Sequence, residues 1–358
     1  MALPASGAIS LSAVNTELGS SSTAAIGMND SAVRSLFGKS SGAIAMSDGY
    51  GKSSIAPLIA IGWQNPCYST DGTTWTQANW PSGLGYINPS QPYQWSYGTY
   101  GNGKYIAVTS GSYPNTKIAY STDGVNWTAS GASPFNCAFK CAAYGGGVYV
   151  LGSDQGGANF VSSTDGTNWT SRTVSGGSWA DNCMSYGNGK FVAVGRNERA
   201  VATSSDGASW SVATTGMPTA NWAGCAYGNS IWVAVSWAST SYATSADASS
   251  WTGRTLPGSN AMYAVCFGNG KFVAVGPGGS NGAVYSTDGI NWTQATLPTG
   301  SFTTVTYSSR AGLFVAGGVP GGSNVRVATS PDGATWTSRS IPTSAVNGAG
   351  PSCIVSAG

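Results

Sequence analysis

One heptapeptide recurs seven times along this chain: Ser-x-Asp-x-x-x-Trp, with Gly after the Asp in all copies but one. The copies are Ser69/Asp71/Trp75, Ser121/Asp123/Trp127, Ser163/Asp165/Trp169, Ser204/Asp206/Trp210, Ser245/Asp247/Trp251, Ser286/Asp288/Trp292 and Ser330/Asp332/Trp336. Successive Asp positions lie 52, 42, 41, 41, 41 and 44 residues apart. A period in the low forties built from short strands specifies a propeller or an array, not a doubly wound sheet.

The residue types explain the recurrence. Asp accepts hydrogen bonds from nearby backbone N–H groups, and Gly takes the positive φ that a tight turn needs. Ser adds a second local hydrogen bond. Trp opens the next strand and offers an apolar plate for packing between repeats. The heptapeptide therefore reads as a hairpin turn with a built-in anchor.

A second hairpin precedes the later copies. It contains Gly101-Asn-Gly-Lys104, Gly145-Gly-Gly147, Gly187-Asn-Gly-Lys190, Gly228-Asn-Ser230, Gly268-Asn-Gly-Lys271 or Ser308-Ser-Arg-Ala-Gly312. Each is followed by an apolar run such as Phe191-Val-Ala-Val194, and Asn-Gly between apolar runs is a strong hairpin signal. Each repeat is thus strand A, Asn-Gly turn, strand B, variable loop, strand C, Ser-x-Asp turn, strand D. Six A–B hairpins face seven C–D hairpins. Leu58–Ile61 lacks its strand A, and the segment 352–357 is a strand A with nothing after it. Pairing the two completes a seventh blade and removes an open edge. The expected fold is an all-β, seven-bladed propeller over residues 55–358, closed by the C-terminal strand. A six-bladed ring with a loose extra hairpin is the alternative.

The seven turns resemble the Asp box of sialidase-like and related β-propellers. What that implies is a fold, and function needs a separate argument. Residues 1–54 have another texture, with no Trp and a short repeat at Ile9, Ile26 and Ile44. It reads as β-α-β-α-β, with helices over Ser12–Leu18 and Asp30–Phe37, each begun by a capping residue and ended by Gly. So small an α+β module needs a partner for stability. Three stretches, 9–19, 30–38 and 41–53, resemble the N-terminal module of some bacteriophage tail proteins. The resemblance implies attachment to other virion tail proteins through residues 1–54, and trimerisation as the form of self-association. The alternative is an ordinary capping subdomain.

Composition excludes several classes. Charged residues are 8% and the net charge is +2, which gives no strong field for nucleic acid or an anionic membrane. No apolar run is long enough to span a membrane, and no ordinary secretory signal is visible. The chain has no histidine, and its seven cysteines form no CxxC pair. They read as buried free thiols in a chain made in a reducing compartment. No metal and no cofactor are expected, since no cluster has ligand spacing and no Gly-rich loop opens a helix.

Sialidases use a tyrosine with a carboxylate partner and three arginines. Here Asp71, Asp123, Asp165, Asp206, Asp247, Asp288 and Asp332 are committed to turns. Only Asp154, Asp181 and Glu198 remain in the propeller, Glu198 with Asp181 being the pair to suspect. Arg172, Arg254 and Arg339 each follow a turn Trp onto an outer strand. The expectation is therefore no enzyme and no catalytic residue.

Loops that vary from blade to blade on a rigid scaffold are where recognition usually resides. Those loops hold Trp80, Tyr86, Tyr113, Arg196, Glu198, Arg199 and Trp237. Aromatic faces with short polar side chains suit a sugar, and equally a protein surface. Phe135, Trp179, Trp222, Tyr263 and Phe302 recur near the start of strand A and are assigned to packing. The resulting expectation is a phage tail fibre or receptor-binding protein, located in the virion, that recognises a host-surface glycan or protein. The alternatives are a tail or baseplate component without a ligand, and a sialidase-like hydrolase.

Overall fold

The computed structural model describes residues 57–62, 65–81, 95–109, 117–130, 138–153, 160–174, 183–198, 201–213, 216–319, 327–342 and 350–357. Before them it describes residues 3, 9–18, 25–27, 30, 33–34 and 36. The chain divides into two compact units, Met1–Pro57 and Leu58–Gly358.

The larger unit is a seven-bladed all-β propeller. Blade 1 is built from strands Trp95–Gly101, Lys104–Thr109, Ile118–Ser121 and Thr128–Ala129, in that order across the sheet. Blades 2 to 6 repeat the arrangement from Phe139 to Arg339, each as an antiparallel A-B-C-D meander. Blade 7 is assembled from both ends of the propeller: Cys353–Val355, Leu58–Ile61, Cys67–Ser69 and Thr76–Gln77. Ile59 pairs with Val355, Ala60 with Ile354 and Ile61 with Cys353. The closing strand is therefore the one the repeat count leaves over, and the six-bladed alternative falls. The seven A strands contact one another in cyclic order, so they surround the axis.

The A–B turns have the expected geometry. Asn102 and Gly103 have φ of 43° and 72°, and Asn188/Gly189 and Asn269/Gly270 match them. Such paired positive φ values follow the right-handed twist of the flanking strands. In blade 4 a serine stands where the others have glycine, with Ser230 at φ 62°.

Aromatic rows run across the blades. The penultimate residue of strand A meets an aromatic on strand B, as in Tyr144–Tyr149 and Tyr186–Phe191, with ring centroids 4.6 and 4.8 Å apart. The strand B ring then faces the turn Trp, as in Phe191–Trp210 at 6.3 Å. The turn Trp also reaches the preceding blade: Trp210 lies 4.4 Å from Phe160 of blade 2, and Tyr242 of blade 4 lies 5.8 Å from Trp292. These contacts join each pair of sheets into one hydrophobic layer.

A glycine-aromatic interlock tightens the axis. A Cβ on Gly101, Gly145, Gly187, Gly228 or Gly268 would fall 1.9–2.4 Å from Tyr144, Tyr186, Tyr227, Phe267 or Tyr307 of the following blade. Blade 6 has Ser308 in the glycine position, and the strand A that follows it, Cys353–Val355, continues as Ser356-Ala357 with no aromatic. Glycine is thus present in blades 1 to 5, each of which is followed by a blade that supplies a ring; Tyr100 of blade 1 occupies the ring position after blade 7, which has Ala357 in the glycine position.

The smaller unit contains one described helix, Leu11–Glu17, capped by Ser10, whose Oγ accepts from Ala13 N at 3.0 Å. This corrects the expected start at Ser12 and the expected strand at Ile9–Leu11: Leu11 opens the helix and is exposed, because Ser10 already supplies the cap. Leu3, Ile9, Val14, Val33 and Leu36 form its core. Of the second expected helix, Val33, Arg34 and Leu36 are helical, and Arg34 N donates to Asp30 O at 2.9 Å. Among the described residues of this unit there is no strand. The repeat at Ile44 lies outside the described residues.

Candidate functional site

The uniform face is fully explained by structure. In every Ser-x-Asp turn the Asp Oδ1 accepts from the Ser hydroxyl and from two backbone N–H groups two and three residues on; for Asp206 these are Ala208 and Ser209 at 2.8 Å. Those N–H donors, with the Ser204 hydroxyl, hold the Asp206 carboxyl down at about 2. For Asp71 and Asp123, partial burial pushes upward, and the N–H and hydroxyl donors outweigh it. Asp165, Asp247, Asp288 and Asp332 are likewise lowered, chiefly by their backbone donors. Carboxylates so occupied are poor general acids or bases at neutral pH.

The same face is latched from blade to blade. Lys104, Lys190 and Lys271 donate to the carbonyls of Asp165, Asp247 and Asp332 of the next blade. Asn229 does the same to Thr287 O at 2.7 Å.

Arg172, Arg254 and Arg339 lie on the D strands of blades 2, 4 and 6 and each donates through Nε to a strand C hydroxyl: Ser162, Thr244 and Thr329, at 2.9–3.0 Å. They stand on three separate blades and do not converge. Asp154 and Asp181 lie outside the described residues. Burial pushes the Cys67, Cys266 and Cys353 thiols upward, Cys67 to about 12, so these three are protonated at neutral pH. Among the described residues no group of Cys, Asp and Glu could hold a metal ion, and no helix is long and apolar enough to cross a membrane.

The variable face separates the predicted residues. Trp80 is half-buried, its ring meeting Trp95 edge-on at 4.6 Å and Trp127 at 5.2 Å in the seam between blades 7 and 1. Tyr86, Tyr113 and Arg199 lie outside the described residues. Arg196 and Glu198 belong to a short strand, Arg196–Glu198, rather than to a loop. It crosses to the next blade and adds a fifth strand to it, with Arg196 opposite Asn221 and Glu198 opposite Ala220. Trp237 N donates to Asn221 O at 3.0 Å. The start of strand A in blade 4 (Ala220–Gly228) therefore brings Arg196, Glu198 and Trp237 together around Asn221.

A tyrosine assigned to packing is also here. Trp222 and Phe302 are fully buried as expected, but Tyr263 is half-exposed, and Met262 takes the buried place in blade 5. Met262 N donates to Ser236 O of blade 4 at 3.0 Å, joining the start of strand A in blade 5 to the end of strand B in blade 4, one residue before Trp237. The available signal was chemical: of the buried-row candidates, Tyr263 alone carries a hydroxyl. Phe135 and Trp179 lie outside the described residues.

Comparison with known proteins speaks to the fold. A family profile, the DUF6242 β-propeller domain, matches residues 95–236, blades 1 to 3 and the first half of blade 4. No curated protein sequence matches the chain. Among solved structures, YCF48 bound to D1 peptide is similar with a TM-score of 0.52 at 16% identity, over 71% of this chain and 83% of that one. YCF48 from Cyanidioschyzon merolae gives 0.51 at 15%, over 71% and 86%. Virginiamycin B lyase from Staphylococcus aureus gives 0.59 at 12%, over 71% and 86%. At these identities the likeness is one of propeller shape.

Proposed function

We propose that the chain is a non-enzymatic binding protein whose propeller recognises a host-surface ligand, a glycan rather than a protein, in the manner of a phage tail fibre or receptor-binding protein. The observation that carries the reading is the convergence at the top of blade 4, where Trp237, Asn221 and the strand Arg196–Glu198 meet on a rigid edge. An amide on a strand and an aromatic tied to that strand by a backbone hydrogen bond suit ligand capture, because little backbone freedom is lost on binding.

The tail assignment rests on the sequence pattern of residues 1–54, which on this reading join other virion tail proteins and trimerise. Partners are then tail proteins at one end and a cell-surface ligand at the other, with no nucleic acid and no membrane insertion. The shape supports a binding role, since a YCF48 propeller is bound to a peptide. The chemistry of the turns favours a non-catalytic role: all seven turn carboxylates are occupied by hydroxyl and backbone N–H donors.

The test is an array of bacterial surface polysaccharides probed with the full chain and with Trp237→Ala. Binding by the full chain that falls about tenfold in the variant supports the reading. Release of sugar products would overturn the non-enzymatic assignment, and absence of any array binding would overturn glycan recognition.

A further inference from the structure

In four blades strand A carries one residue more than strand B can pair. The register skips at Ser96, Lys140, Ala223 and Thr303, between Trp95 and Tyr97, Phe139 and Cys141, Trp222 and Gly224, and Phe302 and Thr304. The residue before each skip is a fully buried aromatic. A bulge of this kind takes its extra residue off the ladder and re-aims its side chain. Because the A strands surround the axis, the extra residues stand at the variable-loop end of its inner rim.

Blade 5 uses that position differently. Met262 is the buried residue, and Tyr263, whose N donates to Val275 O at 2.7 Å, occupies the extra place. Where the other four blades have Ser, Lys, Ala and Thr, blade 5 has a half-exposed tyrosine. The Met262–Ser236 hydrogen bond ties the residue before Tyr263 to the residue before Trp237 across the seam. Two half-exposed aromatics therefore flank one backbone hydrogen bond across the blade 4–5 seam, with Asn221 held to Trp237 on the other side.

We infer that Trp237 and Tyr263 form a two-ring platform for a neutral sugar, with the bulge at Tyr263 as the device that presents it. The proposal rests on the glycan reading above and names the residues and ligand class of that site. Neutrality follows from the lining: segments 217–224, 236–241 and 255–264 contain no charged side chain, and the neighbouring strand Arg196–Glu198 contributes one charge of each sign. Stacking needs ring faces, and hydroxyl recognition needs amides and hydroxyls, which Asn221, Ser239 and Thr240 supply.

The experiment uses the full chain against immobilised neutral hexose oligosaccharides, with sialylated oligosaccharides as the charged probe, at low and high salt. Tyr263→Ala and Trp237→Ala should each weaken neutral-sugar binding about tenfold, and Tyr263→Phe should keep most of it, all without a change in melting temperature. Binding should not vary with salt. If Trp237→Ala loses binding and Tyr263→Ala binds as the parent does, the platform is wrong and the glycan reading stands. Preference for the sialylated probe would overturn the neutral-ligand assignment. Failure of the parent chain to bind either probe would overturn both.

Discussion

Removing the closing strand is the sharpest test of the architecture. Truncation after Pro351 deletes Cys353–Val355, whose Ile354 and Val355 are 5% and 6% exposed. Burying two such side chains stabilises by roughly 3–6 kcal/mol, and about three ladder hydrogen bonds add about 3 kcal/mol. Against this, releasing about three strand residues returns about 3–6 kcal/mol of backbone entropy. The net loss is about 3 kcal/mol, which for a unit of this size lowers the melting temperature by about 5 °C. Tryptophan fluorescence melts of the truncated and full chains would read it, with removal of Gly358 alone as the control. A synthetic peptide covering residues 350–358 should restore stability in a concentration-dependent manner, as a ligand of the folded state does. An unchanged melting temperature after truncation, or a peptide without effect on a destabilised one, would refute closure by this strand.

Three further outcomes follow from the same geometry. Ser230→Gly should raise stability by about 0.5–1 kcal/mol in chemical denaturation, since relief of a left-handed backbone exceeds the entropy glycine adds; a loss would show that φ 62° carries no strain there. Trp80→Ala should cost about 2 kcal/mol through its contacts with Trp95 and Trp127, without lowering ligand binding by folded protein; the reverse pattern in melting and array measurements would return Trp80 to the binding site. The seven turn carboxylates have folded pKa values below the unfolded value of about 4, so their contribution is complete above it and is lost as pH falls through the folded values, about 2 for Asp206. With no histidine to titrate, thermal stability should hold from about pH 7 to 5 and fall between about pH 4 and 2, and a steep loss above pH 5 would contradict this.

The propeller was legible because its rules are local and repeated. Asp-Gly and Asn-Gly turns declare their φ values, and the unpaired Leu58–Ile61 and Cys353–Val355 declare each other. What escaped was set by single-residue insertions and by contacts across seams. The extra residue at each bulge shifts the buried position by one, which is why Tyr263 looked equivalent to Trp222. Trp80 looked unmatched because its partners, Trp95 and Trp127, belong to the next blade. The strand Arg196–Glu198 pairs with a segment beyond a variable connection, and no periodicity announces such a pairing. Helix Leu11–Glu17 is capped at Ser10, two residues before the expected Ser12, because both Ser10 and Ser12 can cap, and only the backbone path chooses.

The glycine-aromatic interlock bears on how such a ring could grow or shrink in evolution. Each of blades 2 to 5 carries both halves of the joint, a ring for the blade before it and a glycine for the blade after. A gene duplication of any one of them would therefore arrive with matching ends, and a deletion would leave matching ends behind. Blades 6 and 7 lack this interchangeability, because Ser308 could not lie beneath a ring and Ser356 supplies none. Copy number is thus free to vary in the middle of the gene and is anchored at its seam, which identifies blades 2 to 5 as the place to insert a designed repeat.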